Sequence, residues 1–321
     1  MEDDGVPVKF DLVVHGICFA DLIYSEIPHL PEPGEEVFCG DFGFSGGGAF
    51  ITAVAAARLG LKVAIVAPFG SGALEQVLKR WLDDEGVDTT WTYDVPEPRP
   101  YVTVAMNHGG DRGFLTYVSS EDEDRLMEHS LGVFDRLVPR WVHLGARPGG
   151  LALARRIKAL GGQLSLDVGW NPSWLRDPEL LEIVQCADLF LPNRSEAQLM
   201  TNTSTIEAAV ERLSLYTGRV VVTDGERGGA FKDEVHPLRR FEADPAPIKD
   251  TTGAGDNFTA GVLAGLIHGV DLDQAVKLGS FCGRESVQAL GGSTNSPTWM
   301  QANAYLRSYG WQLTPWRDRG D

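Results

Sequence analysis

The chain has 321 residues, 43% of them hydrophobic, a formal net charge of −17 and a pI near 4.8. That length supplies the core for one large α/β domain or two smaller ones. So acidic a surface argues against nucleic acid or an anionic membrane as the main partner. No run of about 18 apolar residues and no leader-like start argues for a membrane span or secretion. Cys18, Cys39, Cys186 and Cys282 lack any CxxC spacing, which fits a reduced cytoplasmic protein better than a disulfide framework or zinc site.

In chain order, residues 10–17 read as a buried first strand, followed by Asp21. Residues 22–24 and 36–39 alternate loosely around Pro28, Pro31 and Pro33, the pattern of a strand pair leaving the core. Residues 45–48, Ser-Gly-Gly-Gly, read as a loop entering an Ala-rich helix that ends at Gly60. A strand over 62–68 and a helix over 74–85 follow. Residues 101–106 and 113–118 read as a second strand pair, joined by hairpin chemistry at Asn107-His108-Gly109-Gly110-Asp111. After the acidic patch 121–124 come a helical stretch, a strand over 141–145, a helix over 151–160 and a strand over 163–167. Such alternation predicts a mostly parallel sheet with helices on both faces, and ligands at the carboxyl ends of its strands. Arg147, Asp167 and Asn171 fall at or just past such ends, although Asn171 before Pro172 is also ordinary turn chemistry. An apolar strand then runs into Asn193-Arg194-Ser195-Glu196, and another, 219–223, into Asp224-Gly225-Glu226-Arg227-Gly228. Asn193 with Glu196 three residues on is also the pattern of a helix-capping box.

The stretch around which the chain is organised is Asp250-Thr251-Thr252-Gly253-Ala254-Gly255-Asp256. It reads as a small-residue turn feeding a helix whose Ala260, Gly261, Ala264 and Gly265 allow close packing on a neighbour. The first turn of a helix offers unpaired N–H groups and partial positive charge, suited to a phosphate. Asp256 would stand at the mouth of that anion hole, where a carboxylate has a use as the base for an attacking hydroxyl. The plainer reading of Asp256 is a helix cap.

The Asp250–Asp256 stretch resembles the C-terminal signature of the ribokinase (PfkB-type) carbohydrate kinases, and the resemblance extends over roughly residues 10 to 298. It implies an α/β, ribokinase-like three-layer sandwich: a mostly parallel central sheet, helices on both faces, and a small β-sheet lid from about 22–44 and 99–118. A single kinase domain would span 8–298, with a helix and tail over 299–321. It further implies that Asp256 is the catalytic base, with Gly253, Ala254 and Gly255 as the anion hole. Substrate contacts would come from Asp21, Gly46, Gly47, Phe19 and Asn171. Nucleotide contacts would come from Asn193, Glu196, Thr223, Gly225 and Gly228, with Asn193 and Glu196 placing Mg2+ partly through water. Asp250 and Thr252, together with residues 288–293, match a loop that holds a monovalent cation in many members; whether potassium binds here is left open. Ile51 and Phe19 depart from the family by replacing polar groups near the inferred pocket, which favours an acceptor with an apolar or aromatic portion, or a different sugar pose.

The activity so implied is ATP-dependent phosphorylation of a primary hydroxyl on a small sugar, a ketohexose first. A nucleoside is the alternative, and a non-catalytic ligand-binding relative is a third. A phosphosugar would call for clustered cations, and only Arg99, Arg112 and Arg147 are candidates. No lysine is followed by Ser or Thr, so a Walker P-loop is absent; the glycine fingerprint of a dinucleotide-binding dehydrogenase is incomplete. An exposed lid could pair two copies into a homodimer.

Overall fold

The runs richest in Val, Ile and Leu form the middle of the protein. The computed structural model describes residues 8–95, 101–108, 111–118 and 120–311. Six parallel strands make most of the central sheet: β1 (Val8–His15), β4 (Val63–Val66), β9 (Leu137–Gly145), β10 (Gln163–Asp167), β11 (Leu189–Phe190) and β12 (Val220–Thr223). Two antiparallel strands, β13 (Gly229–Lys232) and β14 (Arg239–Phe241), finish one edge. The order is β14-β13-β12-β11-β10-β9-β1-β4. From β1 the chain therefore steps to β4 on one side and later returns to β9 on the other, which opens a crevice at the carboxyl ends of β1 and β9.

Alternate residues of each strand feed two separate cores, one per face. Leu12, Val14, Val63 and Ile65 pack with α1 (Ala49–Arg58), α2 (Ala73–Asp84), α8 (Ala254–Ile267), α9 (Leu272–Ser286) and α10 (Trp299–Arg307). Val13, Ala64, Val66, Val142 and Leu144 pack with α3 (Ser120–Val133), α4 (Leu151–Ala159), α5 (Pro178–Cys186), α6 (Arg194–Thr201) and α7 (Ile206–Leu213). The expected three layers are thus present. So is the close helix packing: a Cβ on Gly261 of α8 would stand 2.7 Å from the Gly279 Cα of α9. Trp299 packs over Gly60 and His268, as a core side chain does.

A second sheet, in the order β3-β2-β7-β8, stands off the first: β2 (Cys18–Ser25), β3 (Asp41–Gly48), β7 (Val102–His108) and β8 (Asp111–Tyr117). A short pair, β5 (Pro68–Phe69) with β6 (Tyr93–Asp94), completes the strands. Three expectations need correction. Residues 36–39 are not a strand; β3 begins at Asp41, because the antiparallel ladder sets Ser25 opposite Asp41 and Cys18 opposite Gly48. Residues 45–48 are not a loop but the end of β3. Their missing side chains leave space that other groups fill: a Cβ on Gly46 would strike the Phe50 ring, and one on Gly47 the Asp21 carboxylate. Asp21 accordingly lies within strand β2 rather than past the end of β1. Of the segments expected to form a lid, Arg99 and the turn glycines Gly109 and Gly110 lie outside the described residues, as does the tail beyond Trp311.

Candidate active site

Gly253 caps α8 in the left-handed region, with φ +71°, a conformation that glycine adopts without strain. It is also wedged in place: a Cβ would lie 2.7 Å from Ile51 Cδ1 and 2.8 Å from Gly292 Cα. Asn257, fully buried, donates from Nδ2 to the carbonyls of Gly253 (2.8 Å) and Gly292 (2.7 Å), and so ties the turn to the loop after α9. Asp250 closes the same link. Its Oδ1 accepts from Thr252 N–H (3.0 Å) and hydroxyl (2.8 Å), and its Oδ2 accepts from Gly291 N–H (3.0 Å). The turn is thereby rigid before any ligand arrives. The Ala254 amide makes a long bond to the Thr251 carbonyl (3.3 Å), whereas among the described residues no backbone carbonyl accepts from Gly253 or Gly255. Space is open where a Cβ on Gly255 would stand.

Asp256, in the first turn of α8, lines a cavity of about 370 Å3 at the crevice between β1 and β9. The wall carries Thr52 from α1, His143 and Arg147 from β9 and just beyond, and Asp167, Trp170 and Asn171 from β10 and its loop. Thr52 Oγ1 faces Asp256 Oδ1 at 3.4 Å. Withdrawal from water pushes the Asp256 carboxyl up to about 7; Asp167 adds to this, while His143 and the Thr52 hydroxyl oppose it. A carboxylate with a pKa near neutrality beside free amides suits a general base next to a transferring anion. Asp21 is likewise pushed up to about 7, by burial first and then by Asp256 and Asp250. Its carboxylate lies over Gly47 rather than in the cavity wall, whereas Phe19 and Asn171 do line the cavity. Asn171 also accepts from Ser173 and Trp174, the turn chemistry its sequence suggested.

Asn193 and Glu196 sit at the carboxyl ends of β11 and β12, with Asn193 bridged to Thr223. They form a complete capping box: Glu196 Oε2 accepts from Asn193 N–H (2.8 Å), and Asn193 Oδ1 from Glu196 N–H (3.0 Å). Burial, with Asp167 contributing, pushes Glu196 up to about 7. Gly225 (φ +57°) and Gly228 (φ +77°) hold the adjoining turn; a Cβ on Gly228 would lie 2.0 Å from the Phe241 carbonyl. Among the described residues, no three His, Cys, Asp or Glu side chains cluster as a metal site, and no helix is long and apolar enough to cross a membrane.

A family model described as pfkB family carbohydrate kinase matches residues 9–299. The chain belongs to that family. This pfkB-family chain is an ATP-dependent carbohydrate kinase. It is 26% identical over 305 residues to a ribokinase of Haemophilus influenzae, covering 92% of this chain and 98% of that one. To a fructokinase of Klebsiella pneumoniae it is 28% identical over 276 residues, covering 78% and 88%. Among solved structures, a chain assigned as ribokinase II of E. coli, in complex with ATP and Mg2+, superposes with a TM-score of 0.80 at 20% identity, covering 93% and 99%. A Burkholderia thailandensis nucleoside kinase in complex with inosine superposes at 0.79 and 19% identity, covering 94% and 98%.

In this kinase the sequence reading missed His143, Thr52 and Trp170 as cavity residues, and Asn257 as the clamp of the signature turn. It also misplaced Ile51. That side chain is 1% exposed, absent from the cavity wall, and packed beneath Gly253 and Gly292. It supports the turn and does not face an acceptor.

Proposed function

We propose that this kinase transfers the γ-phosphoryl group of ATP to a primary hydroxyl of a small sugar, a ketohexose first. Asp256 takes the hydroxyl proton, and the Gly253, Ala254 and Gly255 amides face the moving phosphoryl group. The observation that carries this reading is the placement of Asp256 on the cavity wall at the entry of α8, beside the Gly253 and Gly255 amides, which have no backbone partner among the described residues. Since such a transition state is loose, positioning and charge stabilisation supply most of the rate. Asp21, with Gly46 and Gly47, stands on the lid side of the acceptor, and Thr223, Gly225 and Gly228 border the nucleotide. Magnesium arriving with the nucleotide would draw charge from the phosphate oxygens. Asn193 and Glu196 would hold it, through water. Glu196 keeps Oε1 outside the capping box, and burial favours its neutral form, which a nearby cation would reverse. Asp250 and Thr252, already linked to Gly291, are the groups we assign to a monovalent cation such as potassium.

A nucleoside is the second acceptor, favoured by Phe19, Trp170 and Trp174 in the cavity wall. The test is ATP consumption, with Mg2+, against sugars, nucleosides and sugar phosphates. Turnover with a ketohexose supports the first reading and turnover only with nucleosides the second. Turnover with no compound favours a ligand-binding relative. We further propose a homodimer through the lid, supported by the exposed Phe42, Leu115 and Tyr117.

A further inference from the structure

Of the titratable side chains that line the cavity beside Asp256, the scheme above gives no task to His15, Arg147, His143 or Asp167, and the last two face each other. His143, on β9, is 3% exposed. Its Nδ1 lies 3.1 Å from Ser165 Oγ, and its Nε2 lies 3.5 Å from Asp167 Oδ2. The ring is thus held from both nitrogens and faces one oxygen of the carboxylate. Asp167 is different: its side chain is 35% exposed and lines the cavity. Its other oxygen lies beside Gly145, where an added Cβ would be 3.4 Å away. A glycine here leaves that oxygen reachable.

We propose that Asp167, oriented by His143, is a specificity-determining contact for the acceptor, accepting hydrogen bonds from the hydroxyls of a neutral polyol whose reacting hydroxyl stands at Asp256. This rests on the kinase reading of Asp256. Three observations support it. First, Asp167 and Asp256 share one cavity, on walls supplied by β10 and α8. Second, an ionised carboxylate only accepts, so adjacent hydroxyls are natural partners for the oxygen that His143 does not face. Third, the charges that line the cavity with the pair are Asp256 from α8 and Arg147 after β9, while Glu196 from α6 also interacts with Asp167, and His15 on β1 is kept neutral by burial and bonded to Ser130. Two carboxylates against one guanidinium, itself facing Asp167, disfavour an acceptor bearing its own carboxylate or phosphate. Asp21, turned onto Gly47, does not supply this wall. Trp170, 60% exposed at the rim, and Phe19 give the apolar faces of such a ring a surface to lie on.

The test compares wild type, Asp167→Asn and His143→Gln in two assays. One is ATP consumption with D-fructose, D-ribose and inosine. The other is tryptophan-fluorescence titration with the same compounds without ATP, with Trp170→Phe identifying the reporting side chain. Asp167→Asn is expected to raise the acceptor KM and the titration midpoint roughly 10- to 100-fold, the loss of a hydrogen bond to a charged group. At pH 8, where Asp256 is ionised, the same change should lower kcat far less than it raises the acceptor KM. His143→Gln should raise the acceptor KM by less, about three- to tenfold, since it only orients the carboxylate. A midpoint for Asp167→Asn within about twofold of wild type overturns the proposal, as does a joint fall in kcat, ATP affinity and Tm, the mark of a structural role. If wild type binds a compound but consumes no ATP, the kinase reading fails alone, and the Asp167→Asn titration still decides the contact. Neither binding nor turnover with any compound overturns both.

Discussion

Replacing Asp256 by Asn should cut turnover about a hundredfold or more and at the same time stabilise the fold at alkaline pH. The carboxyl is pushed from its ordinary 3.8 to about 7, chiefly because the folded protein withdraws it from water. In the folded state it therefore holds its proton more tightly than in the unfolded chain. Ionising it costs stability, a cost that is absent near pH 4, grows as the pH rises, and is complete above about 7. Taken at face value that pKa difference corresponds to about 4 kcal/mol. The carboxylate opens on a cavity, and screening by water leaves roughly half, ~2 kcal/mol. Asparagine keeps the shape and carries no charge. Its variant should melt roughly 2–4 °C above wild type at pH 8, with the gap closing as the pH falls toward 4. Turnover should fall by about two or more powers of ten, the usual consequence of losing a base, while ATP still binds. Differential scanning fluorimetry across pH 4–9 and steady-state ATP consumption read the two effects. A variant that phosphorylates normally refutes the base. One that melts below wild type at pH 8 refutes the electrostatic argument and leaves the base untouched.

Wild-type kcat/KM should climb about tenfold per pH unit up to about 7 and then level, since Asp256 must be ionised to accept a proton; a flat profile down to pH 5.5 would contradict this. Gly255→Ala meets open space and should keep its Tm yet lose about tenfold or more in kcat, because the methyl group enters the region assigned to the phosphoryl group. Gly253→Ala should instead lose about 2 kcal/mol or more, from a left-handed backbone and a clash with Ile51 and Gly292, read as a lower urea midpoint. Ile51→Asn would bury an amide beneath the signature turn and should cost about 3 kcal/mol without redirecting acceptor preference; a changed preference at unchanged stability would restore Ile51 to the pocket. Leu115→Lys, on the exposed lid, should convert a dimer to monomers by light scattering; an unchanged mass would remove the lid from the interface.

The alternation of apolar strands with helices was legible because β4 (Val-Ala-Ile-Val) and β12 (Val-Val-Val-Thr) are nearly continuous apolar runs and β1 carries Leu12-Val13-Val14, these apolar residues all being buried. The signature turn was legible because its parts are neighbours in sequence. The Asn193–Glu196 box was legible for the same reason as a cap, and its expected role toward nucleotide and magnesium came from the resemblance. What escaped is non-local. Ser45-Gly46-Gly47-Gly48 has no strand propensity of its own and is a strand because β2 pairs with it. His143, Asp167 and Asp256 come from the ends of β9 and β10 and the start of α8, and no spacing rule links them. The order β10-β9-β1 brings the strand residues to one mouth. Asn257 was read only as a helical residue, since its partners, Gly292 and Ser296, lie in a loop beyond the next helix.

Two junctions between the second sheet and the main sheet have almost no slack. Only Gly16 and Ile17 separate β1 from β2, and β3 passes into α1 between Gly48 and Ala49 with nothing between. The Ala49 amide, bonded to the Ile17 carbonyl at 3.0 Å, ties the two junctions together. Tilting the second sheet would therefore lever the first turns of α1, where Ile51 packs beneath the signature turn and Thr52 faces Asp256. If, as proposed, the second sheet closes over the acceptor and Asp256 deprotonates it, shutting the mouth and aligning that carboxylate would be one mechanical event, and an acceptor too small to draw the sheet down would meet a poorly aimed base.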